Sequence, residues 1–216
     1  MNAAGFHHAI TAVWLLCLLG SCASAPAPAP ASVPAQPAPA ADVAHQHHGA
    51  GAAPITIPKG VLYTEADVRF MQGMIAHHAQ AIFMSRMAVS HGANPRLQRF
   101  AMKIDQSQDA EIRQMQDWLR ANNQFAPDTS SWRTMQMSGM LTPEQLSELD
   151  KSRGVEFERN FLRFMIQHHE GALKMVKDLF ATPRAGQDID ISVFANDVEV
   201  VQTAEIALMR QMLEDL

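Results

Sequence analysis

Phe70-Met71-Gln72-Gly73-Met74-Ile75-Ala76-His77-His78-Ala79-Gln80-Ala81-Ile82-Phe83-Met84 decides the fold, because the chain says it twice. The second copy is Phe161-Leu162-Arg163-Phe164-Met165-Ile166-Gln167-His168-His169-Glu170-Gly171-Ala172-Leu173-Lys174-Met175, 91 residues further on and without a gap. The shared pattern is F-x3-M-I-x-H-H-x2-A-[IL]-x-M. Internal repeats are read before other features because they set the whole architecture. On a helix with Met74 at zero, His78 falls at about +40° and His77 at about −60°. Both histidines therefore lie inside the apolar stripe, and His168 and His169 do the same around Met165. A single buried histidine is ordinarily a hydrogen-bonded core residue. Four on inward faces, each within a turn of a methionine, are costly to bury unless something satisfies them. A metal ion would.

A second pattern also occurs twice. F-A-x2-[IV]-[DE]-x2-Q-x-A-E-I-x2-M begins at Phe100 and again at Phe194. Gln108 and Gln202 centre the inner faces of these segments, with Asp105, Glu111, Glu199 and Glu205 on the flanks. Boundary residues place the helices. Thr64 with Asp67 is a capping box, Gly92 suits the position after a helix end, and Asn94-Pro95 and Thr142-Pro143 read as cap and first turn. The predicted helices cover about 65–91, 95–121, a short segment from 143, a second His-doublet helix to about 180, and about 190–212. No alternating run argues for a sheet. The expected fold class is all-α: a four-helix bundle built from two hairpins, 64–122 and 142–216, within a domain spanning 61–216.

The chain ahead of that domain has a different composition. No Lys, Arg, Asp or Glu precedes Asp42, and Ala9 to Gly20 is an apolar run of signal-peptide length. It ends in Leu19-Gly20-Ser21-Cys22, like a bacterial lipobox. Residues 1–22 are expected to be a signal peptide, with Cys22 a lipidated N-terminus or cleavage falling near Ala25. Either outcome exports the protein, and membrane association would come only through that lipid. At most Cys22 survives processing, so no disulfide framework is expected. Residues 23–60 form a linker, Ala/Pro-rich to residue 44 and then carrying His45-Gln46-His47-His48, a tract able to hold Cu(II), Ni(II) or Zn(II) loosely.

The formal net charge is −5 and the basic residues are scattered, which excludes a nucleic-acid stripe. Methionine is abundant, at 14 residues. Di-iron bundles use Glu-x-x-His, whereas this chain has Met74-x-x-His77 and Met165-x-x-His168. A thioether in place of a carboxylate moves preference toward Cu(I) or Ag(I), with other transition metals less favoured. The candidate metal ligands are therefore Met74, His77, His78, Met165, His168 and His169. Met84 and Met175 lie two turns away and suit a second site or an entry path. Glu111 and Glu205 are hard ligands or acceptors for imidazole N–H. Met135, Met137 and Met140 cluster in a predicted loop, where core packing explains them less well. Met102, Met115, Met209 and Met212 read as core filler.

The two M-I-x-H-H-x2-A blocks, each followed by Q-x2-E-I-x2-M, resemble the domain-of-unknown-function 305 family from about Thr64 to Leu216. That resemblance implies a ferritin-like helical fold and an exported bacterial protein. It also implies, for some members, periplasmic copper binding through His and Met in copper and silver tolerance. No nucleophile–base pair, phosphate loop or cysteine cluster is present, so no catalytic residue is assigned and an enzyme is not the favoured reading. A copper-binding or sequestering module is favoured. A metal-dependent oxidoreductase and a metal-free helical interaction domain are the alternatives.

Overall fold

The structure, a computed structural model, describes residues 54–216; the signal stretch, the Ala/Pro tract and the His45–His48 tract lie outside the described residues. Six helices follow in order: α1 Glu65–Ser85, α2 Met87–Ser90, α3 Pro95–Ala121, α4 Pro143–Lys151, α5 Gly154–Ala181 and α6 Ile189–Glu214. No strand occurs among the described residues. α1 with α2, α3, α5 and α6 form the all-α four-helix bundle, as two hairpins packed through α1 and α5.

The helix ends lie where the boundary residues put them. The Thr64 hydroxyl accepts from Asp67 N–H, while the Asp67 carboxylate accepts from Thr64 N–H at 2.7 Å. Asn94 caps α3, and Thr142 caps α4 through a box with Gln145. One expectation is corrected: the first helix is not continuous to His91. It breaks at Arg86, whose guanidinium turns outward to Asp105, and resumes as the single turn α2.

The core falls into two apolar clusters. One holds Met71, Met74, Ile112, Met115, Val176 and Phe194, with Ile55 and Ile57 of the preceding segment packed on it. The other holds Met84, Phe100, Ile104, Phe161, Met165 and Met209. Met74 shares a cluster with Val176, and Met84 shares one with Phe161, so α1 and α5 run antiparallel. α3 and α5 consequently run the same way, and the chain must return along the bundle between them. That return, residues 122–153, lays a 3-10 turn, Thr129–Arg133, against α1. It explains why α1 is buried nearly all round while α5 keeps an exposed face.

Candidate metal centre

Between the two apolar clusters lies a polar layer. Gln108 sits one turn from Ile104 in one cluster and one turn from Ile112 in the other; Gln202 sits likewise between Ile206 and Val198. His77, His78, His168 and His169 are all 0% exposed, and Gln108 and Gln202 are 2% exposed. The helical repeat explains the layer, since each residue occupies the inward position of its helix at the level where α1 and α5 cross. The His77 and His168 rings meet there, with centroids 3.8 Å apart and planes tilted by 41°.

Each histidine's partners identify the nitrogen left over. His78 Nε2 lies 2.7 Å from the Glu111 carboxylate, and His169 Nε2 lies 3.0 Å from that of Glu205. A carboxylate only accepts, so each Nε2 carries the hydrogen. His77 Nε2 lies 3.0 Å from the Ser138 carbonyl oxygen, which again only accepts. In all three residues Nε2 is spent in this way, and Nδ1 has no partner. His168 has no partner at either nitrogen. The Gln108 and Gln202 Oε1 atoms and Glu205 Oε1 are also buried without hydrogen bonds, although Lys103 Nζ approaches the last at 3.5 Å. Buried polar groups are nearly always satisfied, so a layer of five orphaned imidazole nitrogens is unusual.

The environment keeps the central pair neutral. Burial, and then the neighbouring His78, push the His77 imidazole down to about 3, against the opposing hydrogen bond that its Nε2–H donates to the Ser138 carbonyl oxygen. Burial, and then His77, hold His168 well below the ordinary range. Neutral imidazole is the form that binds metal.

His91 is the contrasting case. It is buried, but its Nε2–H donates to the Asp150 carbonyl oxygen at 3.0 Å, and its Nδ1 lies 2.9 Å from the Ser90 hydroxyl and 3.0 Å from the Met87 carbonyl oxygen. No nitrogen is left over, and the residue stitches the end of the first hairpin to the turn before α5.

The methionines divide between the clusters. Met74 and Met165 are fully buried a turn before His77 and His168, in opposite clusters. Met84 packs in the cluster of Met165, and Met175 in that of Met74. A Cβ built on Gly73 would stand 3.5 Å from Met175 Cε and 3.9 Å from Met137 Cγ. The loop methionine Met137 thus converges with Met175 one turn before His77, on the same helix face. Met140 is buried, while Met135 is only half-buried. Met102, expected in the core, is 54% exposed. Asp105 pairs with Arg86 at the surface and Glu199 is exposed, so neither reaches the histidine layer.

Sequence reasoning missed what holds the loop over the histidines. The Gln80 side chain clamps Leu141, accepting from its N–H at 2.7 Å and donating to its carbonyl oxygen at 3.2 Å. A Cβ on Gly171 would stand 2.0 Å from the Ser138 oxygen. The glycine lets the loop backbone touch α5, which brings the Ser138 carbonyl onto His77. The signal for it was Gly171 and Gly139, two glycines at which a side chain would strike the opposing backbone. Among the described residues, no three His, Cys, Asp or Glu side chains already converge as an ion cage. The donor set nevertheless fits a soft ion: neutral imidazoles with free Nδ1 atoms and thioethers on either side.

The sequence profile described as "Domain of unknown function (DUF305)" matches residues 67–213. Among solved structures, a DUF305 fragment from Deinococcus radiodurans is similar, with a TM-score of 0.63 at 28% identity, covering 71% of this chain and 99% of that one. A DUF305 protein from Streptomyces coelicolor, described as secreted, has a TM-score of 0.61 at 27% identity, covering 69% and 93%. CopM in its Cu(I)-bound form has a TM-score of 0.55 at 28% identity, covering 69% and 96%, and it has also been solved with Ag and with Cu(II). An uncharacterized protein, L153, of Acanthamoeba polyphaga mimivirus is 40% identical over 53 residues, a stretch that spans 35% of its length.

Proposed function

This chain belongs to the DUF305 family, and we propose that it is an exported copper-binding protein that holds Cu(I) through the buried histidine layer. The observation that carries the reading is the set of five partnerless imidazole nitrogens on His77, His78, His168 and His169. Copper is cargo here, held for sequestration in metal homeostasis or tolerance, and Ag(I) fits the same donors. Glu111 and Glu205 orient His78 and His169, so that Nδ1 is the ligating atom. Methionine thioethers supply further soft donors: Met74, Met175 and Met137 on one side of the layer, Met165 and Met84 on the other. Met135 and Met140 belong to the loop that closes over it. CopM, a member of the same structural group solved with Cu(I) and Ag, supports the choice of metal. The relative from Streptomyces coelicolor described as secreted supports export. We place the signal peptide at residues 1–22, with Cys22 as the lipid-bearing residue, and the linker at residues 23–60.

An anaerobic Cu(I) titration against a competing chelator tests the reading, with Zn(II) and Fe(II) run in parallel. Replacing His77 and His168 together by alanine should weaken Cu(I) binding at least about 1,000-fold, or about 4 kcal/mol. Deleting residues 45–49 should change it by less than about tenfold, since a site on a spacer must be ordered on binding. Binding that survives the double replacement and disappears with the deletion would put the copper in the tail.

A further inference from the structure

α6 carries two apolar stripes. One faces the core through Ile191, Val198, Gln202 and Met209. The other is opposite and exposed: Ile189 is 74% exposed, Val193 53%, Val200 70%, Val201 37% and Leu208 38%. With Val200 at zero, these residues span about −20° to +100° on the helix, and Ala204 and Ala207 fall inside the same sector together with the polar Asp190, Asp197 and Gln211. A sector that wide is what a helix presents to a packing partner, not to water.

The duplication supplies an internal control. In the repeat that aligns Phe100 with Phe194, the α3 residues Arg99, Gln106, Ser107 and Gln114 stand where α6 has Val193, Val200, Val201 and Leu208. The same outer positions of the same bundle are polar on α3 and aliphatic on α6. The geometry of the fold therefore does not require apolar residues there, and scattered exposed aliphatics would not replace a polar face position by position.

We propose that the outer face of α6 is the interface of a homodimer, in which α6 packs antiparallel on α6 of a second copy. The spacing is self-complementary about a two-fold axis between Val200 and Val201. It sets Val193 against Leu208 of the second copy, Val200 against Val201, and Asp197 against Ala204. A parallel arrangement would instead oppose Asp197 to itself. The rim carries both signs. Lys177 of α5 and Glu199 of α6 line a groove of about 690 Å³ between the two helices, and neither they nor Asp197, which lies within the stripe, form an ion pair within the chain among the described residues. Charges left free on one copy have opposite charges to meet on the other.

Other occupants fit less well. Residues 23–44 offer only Val33 and Val43 as large aliphatic side chains, too few to fill the stripe. An anionic membrane surface would meet Asp190 and Asp197 within the stripe and Glu199 beside it. The stripe is about 30 Å long and about one helix wide, which puts the interface at the small end of specific contacts and makes the dimer concentration-dependent.

Sedimentation velocity of the full chain, from about 1 µM to about 100 µM, is the test. The wild type should pass from monomer to dimer across that range. Val193→Arg, Val200→Gln and Leu208→Gln together, which copy the residues of α3, should weaken association at least about 100-fold with helicity unchanged. In a chain with Cys17 and Cys22 replaced by serine, Val193→Cys with Leu208→Cys should cross-link two copies on oxidation, and Val193→Cys alone should not. A wild type that stays monomeric throughout overturns the proposal, as does a dimer that survives the triple replacement. Cross-linking by Val193→Cys alone overturns the antiparallel packing. Binding to phosphatidylglycerol vesicles that the triple replacement abolishes, without any dimer, assigns the face to a membrane instead.

Discussion

Histidine is buried in two regions of this molecule, and the two are built in opposite ways. At the joint between the hairpins, His91 is 6% exposed and both of its ring nitrogens are engaged, by Ser90 and by Asp150. In the middle of the bundle, His77 and His168 are fully buried, and between them three of four ring nitrogens have no partner. Burial is common to both, so burial does not distinguish a ligand from a core residue. Satisfaction does. A satisfied imidazole contributes to stability as it stands, whereas an orphaned one costs free energy until something binds it.

Acidification should separate the two regions most strongly. His77 and His168 are held neutral in the fold, while in the unfolded chain they take up a proton near 6.5. The unfolded state then binds more protons, so stability falls as pH falls. In the metal-free protein, stability should be level above about pH 6.5 and should drop below it by about 3 kcal/mol per pH unit for the pair. Denaturation at a series of pH values would read the slope, and it should disappear when both residues are replaced by alanine. A slope that persists in that variant would assign the acid sensitivity elsewhere.

Next in size is the loop that engages His77 alone. Gly171→Ala would drive a methyl group into the Ser138 carbonyl and the Gly139 backbone. The loop must lift, at a cost of about 3 kcal/mol, and the His77 Nε2–H must lose its acceptor. Chemical denaturation together with the nitrogen shifts of the His77 ring would report both. Wild-type stability in this variant would mean that the contact is not tight in solution.

The smallest effects are the most diagnostic. His91→Leu removes two hydrogen bonds, at about 1 kcal/mol each, which should cost about 2 kcal/mol and leave Cu(I) affinity unchanged. His168→Leu removes two nitrogens that bond to nothing, so the metal-free protein should stay within about 1 kcal/mol of wild type or rise above it, while Cu(I) binding collapses. Thermal melts with and without copper would compare them. If His168→Leu proved the more destabilising of the two without metal, the distinction between satisfied and orphaned histidines would fail.

The helices, their caps and the bundle were legible because each depends on neighbours within a turn or two. Thr64 with Asp67, Asn94 with Pro95 and Thr142 with Gln145 are local signals, and the inward placement of the His doublets follows from a period of 3.6 residues. The break at Arg86 was not legible: its backbone stays in the helical region and its N–H still reaches the Ile82 carbonyl, so no residue type marks the spot. The exposure of Met102 escaped for a related reason: a methionine near an apolar stripe reads the same whether or not a neighbouring helix covers it.

By itself the sequence determined that the chain is duplicated, that it forms an all-α bundle, and that four histidines and a set of methionines face inward. These are periodic properties, set by local geometry. Only the tertiary structure decided which imidazole nitrogens are spent and which are free. The Ser138 carbonyl that engages His77 lies 61 residues away in the chain, and the Asp150 carbonyl that satisfies His91 lies 59 residues away. Both arrive by close backbone packing, one of them through the absence of a side chain at Gly171. A hydrogen bond is decided over tenths of an ångström, and no pattern of residue types along the chain carries that resolution.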